Sequence, residues 1–223
     1  MNKTLKKIHD YLISKGAKEE DLLQADTQSV YLSMEICEYA HRNQKRVNGE
    51  DYAEHPARCL KRYRKMVGIT PDDPFCIDKD LMMEYGIPFD GVQEVCLLHD
   101  VVEDSDLTLE DLQEIFYDLG YQTYFDLYIK DPLRRLTHQR HTPYRDYIEI
   151  VSLNPISALV KMMDLQDNLQ ILDLTTLDRR SYMRAKRYLR YLYLLNDLHH
   201  FVENIQTYRE KFKENEAEGK TFA

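Results

Sequence analysis

Apolar positions recur along this chain mostly at intervals of three and four, the spacing that lines one face of a helix, and seldom in the alternation of a strand. Residues 3–15 form an amphipathic stretch that Gly16 closes. Val30, Met34, Cys37 and Ala40 repeat at helical spacing behind Asp26 or Thr27, either of which can serve as N-cap. The polar segment RVNGEDYAE predicts a loop, after which Pro56 takes the first position of a helix, where its missing N–H costs little. Residues 69–90 predict irregular chain with one short helix around 79–85. A helix beginning at Asp90 then carries CLLHDVVEDSD. Thr108, with Asp111 in the reciprocal place, gives TLEDLQEIFYDLG a capping-box start, and Gly120 stops it. LTHQRHTPYR is a polar break before a helix over 143–153, and Pro155 opens the helix that contains LVKMMDLQDNL. From about 178 to 214 a Tyr-, Leu- and Arg-rich pattern predicts one or two packed helices, with KENEAEGKTFA as a frayed tail.

Composition sharpens this. With seven glycines, seven prolines and no linker or repeat in 223 residues, the expectation is one all-α domain over residues 1–223. Its core would span about 26–175 and its C-terminal helices about 178–214, in a bundle of roughly eight to ten helices. The net charge of −9 argues against nucleic acid or an anionic membrane as partner. An anionic substrate would then need a local basic cluster or a metal. Cys37, Cys59, Cys76 and Cys96 lack CxxC spacing and read as reduced thiols. No apolar run reaches the length of a bilayer span, and no apolar segment follows the basic N-terminal residues. The expectation is a soluble, cytoplasmic chain, with a homo-oligomer left open.

Candidate chemistry starts where the pattern conflicts with itself. Cys96, Leu97, Leu98, Val101 and Val102 are core-type residues, yet His99, Asp100, Glu103 and Asp104 are threaded between them. Charged groups near a core are costly unless paired, and a bound cation is a common partner. His55 lies at a predicted loop–helix junction, and Asp164 lies among Leu159, Val160, Met162 and Met163. Mixed imidazole and carboxylate donors such as His55, His99, Asp100 and Asp164 suit Mn²⁺, Fe²⁺ or Zn²⁺ with open positions. A divalent ion of that kind lowers the pKa of the water it holds, and Glu103 and Asp104 could orient that water or take its proton. Each residue has a plainer reading: His99 and Asp100 as a salt-bridged helix pair, and Asp164 as the buried partner of Lys161.

Three segments in order resemble the HD superfamily of metal-dependent phosphohydrolases, and more closely the hydrolase domain of RelA/SpoT-type alarmone enzymes and the small alarmone hydrolases. AHRNQKRVNGEDYAEHP (40–56) is similar to the family's first motif at Ala40, His41, Gln44, Arg46, Gly49, Glu50, Tyr52, His55 and Pro56. LLHDVVEDS (97–105) and VKMMDLQDNL (160–169) resemble the second and third. The resemblance implies an HD-type helical bundle with the metal in a central cleft. It also implies His55, His99, Asp100 and Asp164 as Mn²⁺ ligands (another divalent metal is possible) and Glu103 and Asp104 as catalytic acids. Arg46 would face a nucleotide's purine or phosphate and Asn168 would hydrogen-bond the nucleotide. Thr137 and Tyr144 would lie near the pocket, with Asn48 and Lys161 completing the substrate side. Plainer roles remain for some: Arg46 in a solvated loop, Asn168 on the backbone, Thr137 as a cap, Tyr144 in the core, and His41 as loop support.

The departures bear on the substrate. Val47 and Asn48 stand where the family has Lys-Ser, and Leu165 and Asp167 replace an arginine and a histidine. The resemblance therefore implies hydrolysis of a nucleotide phosphate or pyrophosphate, with removal of the 3′-pyrophosphate of ppGpp first. An HD-type nucleotidase or phosphodiesterase on another nucleotide comes second, and a non-catalytic nucleotide-binding protein third. A di-iron oxygenase would need further ligand histidines. The length leaves no room for the synthetase domain of the long enzymes. Lys130, Arg134, Arg135, Arg140 and Arg145 form the densest basic stretch, read equally as phosphate contacts or as surface.

Overall fold

The computed structural model describes residues 2–69, 77–172 and 178–218. These residues are all-α, and their one β feature is an isolated bridge between Lys45 and Asp51. The helices are α1 (Lys3–Ser14), α2 (Glu19–Ala25), α3 (Ser29–Ala40), α4 (Glu54–Val67), α5 (Lys79–Glu84), α6 (Val92–Leu98) and α7 (Val101–Asp104). They continue as α8 (Leu109–Asp118), α9 (Gln122–Tyr124), a π-helical turn (Phe125–Ile129), α10 (Lys130–Leu136), α11 (Tyr144–Ser152), α12 (Pro155–Gln170), α13 (Arg179–His199) and α14 (Phe201–Ala217). None is long and apolar enough to cross a membrane.

The architecture is organised around α12. Asn154 caps it by accepting from the backbone N–H of Ile156 (2.9 Å) and Ser157 (3.2 Å), and Pro155 takes the first helical position. Such a cap is worth about 1 kcal/mol. Its first turns are buried on nearly every side (Ile156, Ala158, Leu159, Val160, Met162, Met163), as in a helix at the centre of a bundle. It packs against α4, α6, α10, α11 and α13, while α3 and α4 both pack on α6. Any polar group on the inner face of α12 therefore faces α4 and α6.

Several elements depart from the sequence expectation, and the number of helical segments exceeds the eight to ten expected. α2 was not anticipated, and neither Asp26 nor Thr27 caps α3. Gln28 holds that position without a side-chain bond, because the Asp26 carboxylate turns toward His9. α4 begins at Glu54, two residues before Pro56. The helix expected from Asp90 begins at Val92 and is interrupted at His99–Asp100. The chain between Gln122 and Leu136 is helical, with a π turn that keeps Phe125, Ile129, Leu133 and Leu136 buried. The tail expected to fray from Lys213 stays helical to Ala217. Met34 is exposed rather than part of the inner face of α3, and Cys76 lies outside the described residues, whereas Cys37, Cys59 and Cys96 are buried free thiols.

Two devices fix α6. Gly91 precedes it with φ +79°, and a Cβ there would lie 2.6 Å from the Tyr128 carbonyl oxygen. Gly91→Ala meets both the left-handed backbone and that clash, and is expected to destabilise the protein by about 1–3 kcal/mol in urea unfolding. Within α6, the buried Glu94 carboxylate accepts from Ser29 Oγ (2.5 Å) and Tyr124 Oη (3.3 Å), tying α6 to α3 and α9. Burial raises its pKa above the ordinary 4.5, although the hydroxyls oppose the shift. The folded chain therefore binds this proton more tightly than the unfolded one. The associated stability is full below about pH 4.5 and is lost as pH rises through the elevated value. Glu94→Gln is expected to flatten the decline of Tm above pH 5, and an unchanged Tm–pH slope would exclude this role.

Candidate functional site

The inner faces of α4, α12 and the α6–α7 junction meet around two histidines. His55, in the first turn of α4, is fully buried. Its Nδ1 lies 2.8 Å from Asp167 Oδ2, and its Nε2 lies 3.1 Å from Asp164 Oδ1 and 3.6 Å from Asp100 Oδ2. Asp164 and Asp167 are one turn apart on α12, so a single face of that helix embraces the imidazole from both ends. Burial alone would lower the His55 pKa, but the surrounding carboxylates outweigh it and raise it to about 9.

His99 closes α6. Its Nδ1 is 2.9 Å from the Cys96 carbonyl oxygen, which as an acceptor assigns the proton to Nδ1. Its Nε2 is buried and without a hydrogen bond, 3.2 Å from Asp100 Oδ2. A ring nitrogen and a carboxylate oxygen this close require a proton or a cation between them. Burial would raise the Asp100 pKa, but His99 and His55 hold it well below the usual carboxylate range. Asp164 is likewise held ionised against burial, chiefly by Lys161, whose Nζ is 2.7 Å from Oδ2, and then by His55. The ion pair with Lys161 is thus present, beside the histidine contacts.

Above this floor lies a cleft of about 170 Å³. Its lining brings together Arg46, Tyr52, His55, Asp100, Glu103, Asp104, Tyr144, Lys161, Asp164 and Asn168, with His138 and Tyr147. Glu103 Oε2 accepts from the His138 backbone N–H at 2.9 Å, and desolvation raises its pKa, with the charges of Asp100 and Asp104 adding. Arg46 Nη2 donates to Asn168 Oδ1 (2.7 Å), and Asn168 Nδ2 donates to Asp164 Oδ1. Neither residue is a free solvated or backbone-bonded group. Tyr144 lines the cleft while also packing on Tyr147 and Tyr191.

Two sequence candidates are not brought in. Asn48 lies in an exposed turn, where its Oδ1 accepts from the Glu50 N–H at 3.2 Å. Thr137 Oγ1 is spent on the Leu133 carbonyl at 2.9 Å, and its neighbour His138 faces the cleft instead. The basic stretch does not reach it either. Lys130, Arg134, Arg135 and Arg145 pair with Asp126, Asp131 and Glu149, and Arg140 is absent from the lining. Of the four substituted positions, Val47 is fully exposed, Asn48 is in its turn, Leu165 is core, and Asp167 orients His55.

Tyr52 and Asp167 had no role in the sequence reading, whereas His41 was read as loop support. Tyr52 Oη donates to Asp100 Oδ2 (2.9 Å) and Asp104 Oδ2 (2.8 Å), and burial together with those carboxylates raises its pKa so that it remains a donor. Asp167 Oδ1 accepts from Arg58 Nε (2.8 Å) and Arg62 Nη2 (3.1 Å), while Arg58 also pairs with Glu50. His41 stacks on Tyr52 at 4.7 Å with its Nδ1 2.8 Å from Gln44 Oε1, the loop-supporting arrangement. Tyr52 matched the first motif, so its position was marked. Asp167 was visible as an acid one turn from Asp164, a spacing whose meaning depends on what faces it.

No family model and no curated protein matches the sequence. A solved structure of a metazoan ortholog of SpoT, which hydrolyses ppGpp and plays a role in starvation responses, is similar at 20% identity with a TM-score of 0.53, covering 87% of this chain and 97% of that one. The likeness is one of fold, an all-α helical architecture shared over most of both chains.

The orienting role of Asp167 can be read directly. In Asp167→Asn the His55 imidazolium loses its charged Nδ1 partner, and its pKa is expected to fall from about 9 in NMR titration of the metal-free protein. A pKa left at its original value would show that Asp164 and Asp100 suffice.

Proposed function

We propose that this chain is a divalent-metal-dependent phosphohydrolase acting on a nucleotide, with removal of the 3′-pyrophosphate of ppGpp as the first reaction to test. The supporting observation is the buried, unpartnered Nε2 of His99, 3.2 Å from Asp100 and beside His55 and Asp164 under a polar cleft. Two imidazoles and two carboxylates are a donor set suited to Mn²⁺ or a similar ion. His55 is also held through Nδ1 by a carboxylate, as metal-ligating histidines commonly are. His55, His99, Asp100 and Asp164 would hold the ion, which when bound would polarise a phosphoryl oxygen and lower the pKa of the attacking water.

The chain's own residues carry the remaining work. Glu103 and Asp104 face the cleft with the capacity to take the water's proton. Glu103 is steered by the His138 N–H and Asp104 by the Tyr52 hydroxyl. Lys161 and Arg46 bring positive charge to the lining, and Asn168 offers an amide to the substrate. A cleft of about 170 Å³ admits a phosphate group or pyrophosphate rather than a whole nucleotide; sites that enclose entire ligands run to roughly 300–1,000 Å³. The nucleoside would then lie at the rim. A second reading, another nucleotide substrate, is favoured by that rim. The Arg46–Glu50 turn presents a fully exposed Val47 where the resembling family has lysine.

Metal-stripped protein given Mn²⁺ and ppGpp is expected to release GDP and pyrophosphate, with the rate lowered at least about 10³-fold in Asp100→Ala. Products from another nucleotide, again absent in Asp100→Ala, would move the reading to the second substrate. Silence across nucleotides phosphorylated at 2′, 3′ and 5′, with metal bound, would support a binding protein. Metal binding carries its own pH signature. The ion must displace the His55 proton, so apparent Mn²⁺ affinity is expected to rise about tenfold per pH unit from pH 7 and to level off near the His55 pKa of about 9. Calorimetry in buffers of different ionisation enthalpy would report the released proton.

A further inference from the structure

A second histidine–carboxylate cluster lies among the N-terminal helices, apart from the cleft. His9 on the buried face of α1, Asp26 just after α2 and Glu35 on α3 direct His9 Nε2, Asp26 Oδ1 and Glu35 Oε2 at one another. Nε2 is 3.3 Å from Oδ1 and 3.5 Å from Oε2, and all three donor atoms fall within 4.8 Å of one another. His9 is 6% exposed. Each of the three atoms is buried and without a hydrogen bond, although buried polar atoms in native proteins nearly always have a partner. Three such atoms converging on one point share a single missing partner.

We propose that His9, Asp26 and Glu35 supply three of the four donors of a zinc ion that pins α1 and α2 to α3, with water in the fourth position. The donor types are those of zinc: one imidazole nitrogen and two carboxylate oxygens. The spacing agrees. Zinc bonds of about 2.0–2.2 Å in tetrahedral geometry place neighbouring donors roughly 3.3–3.6 Å apart, which matches the His9 separations of 3.3 and 3.5 Å. Octahedral Mg²⁺ at about 2.0–2.1 Å would need roughly 2.8–3.0 Å. Charge agrees too, since two carboxylates beside a neutral imidazole balance a dication. The rival reading is a protonated His9 lying between the two acids.

The site is independent of the hydrolase reading, and the experiment separates the two. Metal-stripped wild type, Glu35→Gln, His9→Asn and Asp100→Ala are titrated with Zn²⁺ against a chromophoric chelator, with far-UV circular dichroism confirming the fold. The expected result is an equivalent of Zn²⁺ that persists in Asp100→Ala and binds at least tenfold more weakly in Glu35→Gln and His9→Asn. Zn²⁺ should also raise the Tm of Asp100→Ala but not that of Asp100→Ala/Glu35→Gln. Equal stoichiometry and affinity in wild type and both cluster variants, or no equivalent surviving Asp100→Ala, would overturn the proposal in favour of the protonated triad. Should the cluster variants fail to fold, Co²⁺-loaded Asp100→Ala decides: intense visible d–d bands mark a tetrahedral N/O site, and their absence rejects it.

Discussion

The constraint on which the cleft depends is the burial of carboxylates. Asp164 and Asp167 project from a helix otherwise packed in the core, and Asp100 meets them from the α6–α7 junction. Removing one charge from water costs several kcal/mol, and three close together repel as well. The fold offsets this with cations from particular directions: Lys161 from α12 itself, Arg58 and Arg62 from α4, and His55 in the middle. The packing of α4 on α12 is therefore an electrostatic arrangement as much as an apolar one. Loss of either partner would strand the other's charge inside.

That arrangement also divides the acids by task. Asp167 is saturated by His55, Arg58 and Arg62 and faces away from the cleft, so its capacity is spent on aiming the imidazole. Asp100 and Asp164 retain oxygens turned toward His55 and His99, and they line the cleft. Glu103 and Asp104 lie one turn beyond, where α7 has left the core and water can reach them. The interruption of the helix at His99–Asp100 makes this possible. Gly91 and Glu94 anchor the preceding helix, so the break falls at a fixed height above α12.

Much of this was legible in the sequence where a local rule and a tertiary role coincide. The capping box at Thr108, the Asn154–Pro155 start of α12 and the acid inside an apolar run at 164 each carry their meaning within a few residues. His99, Asp100 and Asp164 could be singled out because charge in apolar surroundings demands a partner, and His55 because of its place at a loop–helix junction and in a segment that resembles a family motif. What escaped depends on contacts between segments distant in the chain. Asp167 resembles any helix acid until His55 is found opposite it, 112 residues away. Asp26 looks like an N-cap until His9 draws its side chain away. Thr137 and His138 are adjacent polar residues, and only the end of α10 decides which one faces the cleft.

The two histidine–carboxylate clusters share a composition and differ in what balances them. In the cleft, lysine and arginine side chains take up part of the negative charge. Around Asp26 and Glu35, no lysine or arginine among the described residues forms an ion pair with either acid. Compensation there must come from a proton or from an ion taken up once and kept. The ion proposed for the cleft would lie beside open water, where chemistry can use it, whereas the one proposed at His9 would serve as a joint between helices. Since α3 packs on α6, the joint at His9 would steady, from behind, the helix that ends at His99.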